Sequence, residues 1–242
     1  MFKFLKDLIY YTTIPSRLIA LDLRKKTKRI RTPNELVDLA FNYRPLSFKR
    51  LAIRPAQVKE EILKLLRILK GLKPRTILEI GTASGGTLFL FTQVAEPDAI
   101  IISIDLPGGP FGGGYPAWKI PLYKSFARYP TQRIYLFRAD SHNVNTLRKV
   151  KKILGNKLID FLFIDGDHSY EGVKKDFEMY APLVRKGGVI ALHDIVPDPQ
   201  ELVGGVPKFW RELKNKLGVD RVKELVKDWN QGGYGIGLII KD

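Results

Sequence analysis

From residue 57 onward, short apolar runs alternate with segments of helical apolar spacing, and few architectures can use that pattern. Strands are expected over 76–80, 100–105, 133–137, 160–164 and 189–192. Helices are expected over 86–95, 121–129, 144–154, 170–184 and 207–217. A helix over 57–72 precedes them, carried by Val58, Ile62, Leu65, Leu66, Ile68 and Leu69 and ended by Gly71 and Pro74. Strands that are apolar at successive positions need cover on both faces. The alternation therefore predicts an α/β fold, a doubly wound Rossmann-like sheet, mostly parallel with helices on both faces. The tail departs from it. Residues 222–229 and 234–240 are β-rich and flank Asn230-Gln231-Gly232-Gly233, which predicts a C-terminal antiparallel hairpin.

The first 55 residues read differently. They hold thirteen Lys/Arg against four Asp/Glu, a balance of +9 within a chain total of +16, and the run 24–31 is the densest part. Four prolines interrupt this stretch and no long periodic segment stands out, so it is read as a basic N-terminal arm (1–55) before the main domain (56–242). A solvated face is the plain reading of such charge. An anionic membrane surface or RNA is the sharper one. Residues 1–23 mix apolar side chains with Lys3, Lys6, Asp7 and Arg17. They are too interrupted for a transmembrane span and lack a signal-peptide pattern. Phe2, Phe4, Leu5, Leu8, Ile9 and Tyr10 could form an interfacial helix or pack on the domain. The expected location is cytoplasmic, with peripheral membrane contact as the variant.

Cysteine is absent, which removes disulfides, thiolate zinc sites and a Cys nucleophile. That absence, with abundant Lys, Arg and Ile, points toward a heat-adapted source. The three histidines, His142, His168 and His193, each follow an expected strand and each has an aspartate close by. In an open α/β sheet the carboxyl ends of the strands rim the ligand crevice.

The first strand–loop–helix unit reads Glu79-Ile80-Gly81-Thr82-Ala83-Ser84-Gly85-Gly86-Thr87. Gly81 and Gly85 permit sharp turns and close approach, but they are four apart, which is not the G-x-G-x-x-G dinucleotide spacing. Glu79 offers a carboxylate to a cationic amine. Asp105, ending the second strand, can accept both hydroxyls of a ribose. Asp140, followed by Ser141, can accept from an exocyclic amine. Each acid alone could be a helix cap. Together they describe a crevice for an adenosine with an amino-acid-like tail.

These motifs resemble those of class I S-adenosylmethionine-dependent methyltransferases. Residues 79–85 match the family's first motif, Asp105 its ribose-binding acid, Asp140 its adenine-side acid, and the terminal hairpin its antiparallel seventh strand. Residues 163–177 (Phe-Ile-Asp-Gly-Asp-His-Ser-Tyr-Glu-Gly-Val-Lys-Lys-Asp-Phe) and 182–194 resemble a subgroup of small-molecule and sugar O-methyltransferases, including cephalosporin-hydroxylase-like and macrolide sugar enzymes. The resemblance spans 56–242 and leaves 1–55 without a counterpart.

The resemblance implies S-adenosylmethionine as cofactor, held by Glu79, Gly81, Ala83, Gly85, Thr87, Asp105, Asp140, Ser141 and Asp165. It implies methylation of a hydroxyl on a small molecule or glycan. An alcohol needs a base or a Lewis acid before it attacks, so Asp165, His168 and His193 are the catalytic candidates, with His193 favoured as base. Asp165, His193 and Asp194 are the implied ligands of Mg²⁺ or another divalent cation. His193 stands where the family more often has a carboxylate. His142 is assigned to the adenosine end. An RNA methyltransferase using the arm, a non-catalytic binding protein tethered by it, and a homo-oligomer stand as alternatives or additions, and a nicotinamide dehydrogenase is disfavoured by the glycine spacing.

Overall fold

The computed structural model describes residues 14–45, 52–108, 114–198 and 203–242. Phe2, Phe4, Leu5, Leu8, Ile9 and Tyr10, on which the interfacial-helix expectation rests, lie outside the described residues.

Among the described residues seven strands form one sheet: β1 (Thr76–Ile80), β2 (Ile100–Asp105), β3 (Arg133–Arg138), β4 (Ile159–Ile164), β5 (Val184–His193), β6 (Val222–Leu225) and β7 (Ile236–Ile240). Their order is β3-β2-β1-β4-β5-β7-β6. The first five are parallel, and β7 runs antiparallel between β5 and β6. This is the doubly wound sheet with a terminal hairpin that the alternation predicts. β5 starts at Val184, five residues before the expected 189, and a register irregularity lies between its pairing of Val184 with Ile159 and that of Val189 with Phe161. β6 stops at Leu225 rather than 229. The fully buried Glu61 takes the amides of Lys227 and Gly235, so this segment bonds to a helix and not to its partner strand.

The strand side chains alternate between two cores, because the pleat has a period of two. Ile77, Phe161, Phe163 and Ala191 face α1 (Ile14–Thr27), α2 (Pro33–Asn42), α3 (Lys59–Leu72), α4 (Gly86–Val94) and α5 (Ile120–Lys124). Leu78, Ile80, Leu162, Ile164, Ile190 and Leu192 face α6 (Val144–Leu154), α7 (Tyr170–Tyr180) and α8 (Val206–Leu217). The helix expected to reach 129 ends at Lys124. The Arg128 amide donates to the Gln132 side chain instead of continuing the helical ladder.

The described part of 1–55 has more regular structure than its prolines suggest. Pro15 and Pro33 both sit in first helical turns, where a missing N–H costs nothing. A capping box of Thr32 and Glu35 opens α2. Ile19, Leu23, Leu36, Val37, Ala40 and Tyr43 are buried in the first core, so α1 and α2 are packed onto the sheet. Packing continues through Ile53, which is fully buried, into Pro55, whose backbone lies against Gly86.

Candidate active site

The register sets the site. Ile104, Ile80, Ile164 and Leu192 are aligned across β2, β1, β4 and β5. One residue further on, Asp105, Gly81, Asp165 and His193 therefore stand side by side at the carboxyl edge. Four positions spread over 113 residues of sequence become neighbours because four strands end level.

Gly81 shows why the first of these turns must be glycine. Its φ is +97°, and a Cβ there would fall 1.9 Å from the Asp165 carbonyl oxygen. Gly85, at φ +80°, lies under the Tyr123 ring. The loop between them is held by Asp105, whose Oδ2 accepts from the amides of Thr82 (3.1 Å) and Ala83 (2.6 Å). Its Oδ1 accepts from Gly114. Burial raises the Asp105 pKa despite these amide bonds.

Beyond the loop a crevice of about 340 Å³ opens. Its described lining contains six aspartates (Asp105, Asp140, Asp165, Asp167, Asp194 and Asp198) and no lysine or arginine. In a chain of net charge +16 this concentrates negative potential at one place. Gly81, Ala83, Asp140, Ser141 and His142 line the same crevice. Asp140 Oδ1 caps the His142 amide, and the His142 ring points away to Asp176, with Nε2 3.2 Å from Oδ1. That contact raises the His142 pKa against the opposing effect of burial.

Glu79, Gly85 and Thr87 stand apart from the other expected cofactor residues, for none of them lines the crevice. Glu79 is on the opposite face of β1 from Ile80, fully buried, with Ser103 Oγ 2.5 Å from Oε2. Thr87 adds a second hydrogen bond. Burial in this pocket pushes the Glu79 pKa up to about 8, so it is mostly a neutral acid at pH 7.

At the other end Asp165 collects three partners. His193 Nδ1 donates to its Oδ1 (3.0 Å), Gln57 Nε2 donates to its Oδ2 (2.7 Å), and His168 Nε2 lies 3.8 Å from Oδ1. Burial would raise the Asp165 pKa, but the two imidazoles outweigh it and lower the value to about 2. Asp194 lies 3.2 Å from His193 Nδ1 and 3.5 Å from His168 Nδ1. Its φ of +65° is strained for a residue with a Cβ, a cost of order 1 kcal/mol or more that often marks functional sites.

Two of the histidines differ sharply in exposure and role. His193 is 4% exposed, and its Nε2 is buried without a hydrogen-bond partner among the described residues. Burial lowers its pKa, yet Asp165 and Asp194 together raise it well above 6.5. His168 is half-buried, and its ring, with Asp165 and Asp194, supplies ligand atoms that all lie within 4.8 Å of one another. The trio that could hold a cation thus contains His168 where the expected set had His193.

Several residues here gave no signal in the sequence. Gln57 sits at the start of the helix expected over 57–72 and comes to Asp165 across 108 positions. Tyr234, with φ +63°, lines the crevice 6.1 Å (ring to ring) from His193. Its loop is fixed by Glu61 and by Gly233, whose amide donates to Pro197. The Gly205 amide donates to the His168 carbonyl and holds that turn.

Residues 78–195 match the model of a family described as a methyltransferase domain. Two curated relatives match more locally. Uncharacterized protein y4gI of Sinorhizobium fredii (strain NBRC 101917 / NGR234) is 29% identical over 149 residues, 60% of this chain. Uncharacterized protein R132 of Acanthamoeba polyphaga mimivirus is 56% identical over 36 residues, 15% of the chain. In each, the match spans 16% of the relative's own length. Among solved structures, the O-methyltransferase TomG from Streptomyces achromogenes, in complex with SAM, aligns with a TM-score of 0.55 and 18% identity. It covers 92% of this chain and 96% of that one. The O-methyltransferase from Bacillus cereus, in complex with SAH, gives 0.55 and 18%, covering 92% and 97%. At such identities the likeness is one of fold.

Proposed function

We propose that this chain, which carries a class I S-adenosylmethionine-dependent methyltransferase domain, methylates a hydroxyl group on a small molecule or glycan. The observation that carries the reading is the charge of the crevice: six aspartates around a glycine loop, with no lysine or arginine among the described lining. Such a site repels a pyrophosphate or a nucleic-acid backbone and favours a ligand bearing a sulfonium and an ammonium. That same feature weighs against the dinucleotide and RNA readings.

The residues divide the work along the crevice. Asp105 faces the position of a ribose, and Asp140 with Ser141 that of an adenine. Gly81, Ala83 and Gly85 keep the loop backbone open to close approach. Glu79 and Thr87 act from beneath this loop, fixing its shape through Ser103 and Thr82, whose hydroxyls are 2.6 Å apart. Asp165, His168 and Asp194 would hold a divalent cation, and two carboxylates with one imidazole suit Mn²⁺ at least as well as Mg²⁺. When bound, S-adenosylmethionine supplies an electrophilic methyl carbon, and the cation supplies a Lewis acid that makes a hydroxyl easier to deprotonate.

His193 is a positioning residue in this scheme. Its Nδ1 proton bridges Asp165 and Asp194 and fixes the placement of these two carboxylates relative to each other. His168 is the half-buried imidazole that can meet an acceptor, as cation ligand or, without a cation, as the base taking the hydroxyl proton. The arrangement is tested by calorimetric titration with S-adenosylmethionine and its demethylated product, followed by methyl transfer to a panel of hydroxyl acceptors with and without Mn²⁺. Micromolar binding with hydroxyl methylation supports the reading. Absence of binding by both cofactor forms ends it.

A further inference from the structure

The cationic N-terminal region separates into two faces once α1 is formed. Ser16, Ile19, Ala20 and Leu23 are buried against the domain. The opposite face carries Ile14, Leu18 and Leu21, which are 56%, 57% and 65% exposed. Positions 14, 18 and 21 follow i, i+4, i+7 spacing and form one stripe. The same stripe continues at 25 and 28 as lysines, with Arg17 and Arg24 along one edge. The acid on this helix, Asp22, is already engaged by Lys26 (3.0 Å) and the Tyr43 hydroxyl (2.9 Å). The helix is fixed in place: Ser16 Oγ donates to the Trp118 carbonyl and Arg24 Nε to the Ser125 carbonyl. Its outward face is therefore a rigid surface.

We propose that this face of α1 docks the protein on a membrane rich in anionic phospholipid. The charge pattern favours lipid over the other occupants. Aliphatic side chains more than half exposed gain nothing on an RNA backbone, which would call for cations and stacking rings. A second copy of the same face would set Lys25, Lys28, Arg17 and Arg24 against themselves. An anionic bilayer accommodates both halves of the stripe, with three aliphatic side chains entering the headgroup boundary and Arg17, Lys25 and Lys28 meeting phosphates. α1 also packs on residues 117–125, which lead to Tyr123 over the glycine loop.

The full chain is to be sedimented with vesicles of phosphatidylcholine alone and of phosphatidylcholine with phosphatidylglycerol, with single-stranded RNA tested in parallel. Binding should be confined to the phosphatidylglycerol vesicles and should weaken with added salt. Lys25→Glu with Lys28→Glu should reduce it by roughly tenfold or more, at about 1 kcal/mol per cation near such a surface. Leu18→Asp with Leu21→Asp should abolish it. Both pairs are exposed, and unchanged thermal melting shows that the variants are folded. No vesicle binding, equal binding to neutral vesicles, retention in the leucine variant, or binding to RNA alone each overturns the proposal.

Discussion

His193 donates its Nδ1 proton to Asp165 Oδ1 across 3.0 Å, tying together the carboxyl ends of β5 and β4. The bond forms because the two strands end in register, one residue past Ile164 and Leu192. It also leaves His168 as the less buried imidazole, and the division of labour between the two histidines is open to direct measurement.

His168→Ala removes one of three converging ligand atoms, and the affinity for Mn²⁺, read by calorimetry, should fall by a hundredfold or more on the order of one lost ligand. His193→Gln should cost roughly 10–100-fold, as loss of an orienting partner does. The reverse ranking would return the ligand role to His193.

Glu79 provides a pH signature. Its folded pKa, raised to about 8 by burial, exceeds the ordinary 4.5, so its favourable contribution is complete below about pH 4.5 and is lost as pH rises through 8. Glu79→Gln mimics the neutral acid. The variant and the parent should melt together at pH 5, while at pH 9 the variant should be more stable by on the order of a few kcal/mol. Identical pH profiles would show that Glu79 is not held neutral.

Gly81→Ala places a Cβ 1.9 Å from a backbone oxygen and imposes a φ of +97° on a residue with a side chain. A loss of roughly 3 kcal/mol or more is expected, with cofactor binding lost in whatever fraction folds. Calorimetric melting and cofactor titration of the purified variant provide the check, and a parent-like melting point would contradict the turn geometry.

Glu61→Ala tests the loop that carries Tyr234. It removes the acceptor of the Lys227 and Gly235 amides and of Gln231 Nε2 from a fully buried position. Stability should drop by about 2–4 kcal/mol. Proteolysis within 226–235 should quicken, with the 76–105 segment unaffected.

The fold was legible because its signal is local. The strands from Thr76 to Ile164 are each dominated by a short apolar run, and β1, β2 and β4 are closed by Gly81, Asp105 and Asp165. β6 and α5 were read too long because their ends are set elsewhere: Glu61 lies over 160 positions from Lys227, and Gln132 competes for the Arg128 amide. The arm hid two helices because prolines in first turns look like breaks when the start of the helix is unknown.

By itself the sequence determined the doubly wound sheet, the glycine loop, and the acids Asp105, Asp140, Asp165 and Asp194 at strand ends. Strand periodicity and turn chemistry act within a few residues, so a linear reading captures them. Only the tertiary structure decided that Glu79 faces the core and that Gln57 and Tyr234 join the site. It also decided that His193 is buried between two carboxylates while His168 faces the crevice. Those outcomes depend on strand register and on which side of the sheet each side chain falls, where one residue of offset exchanges solvent for core.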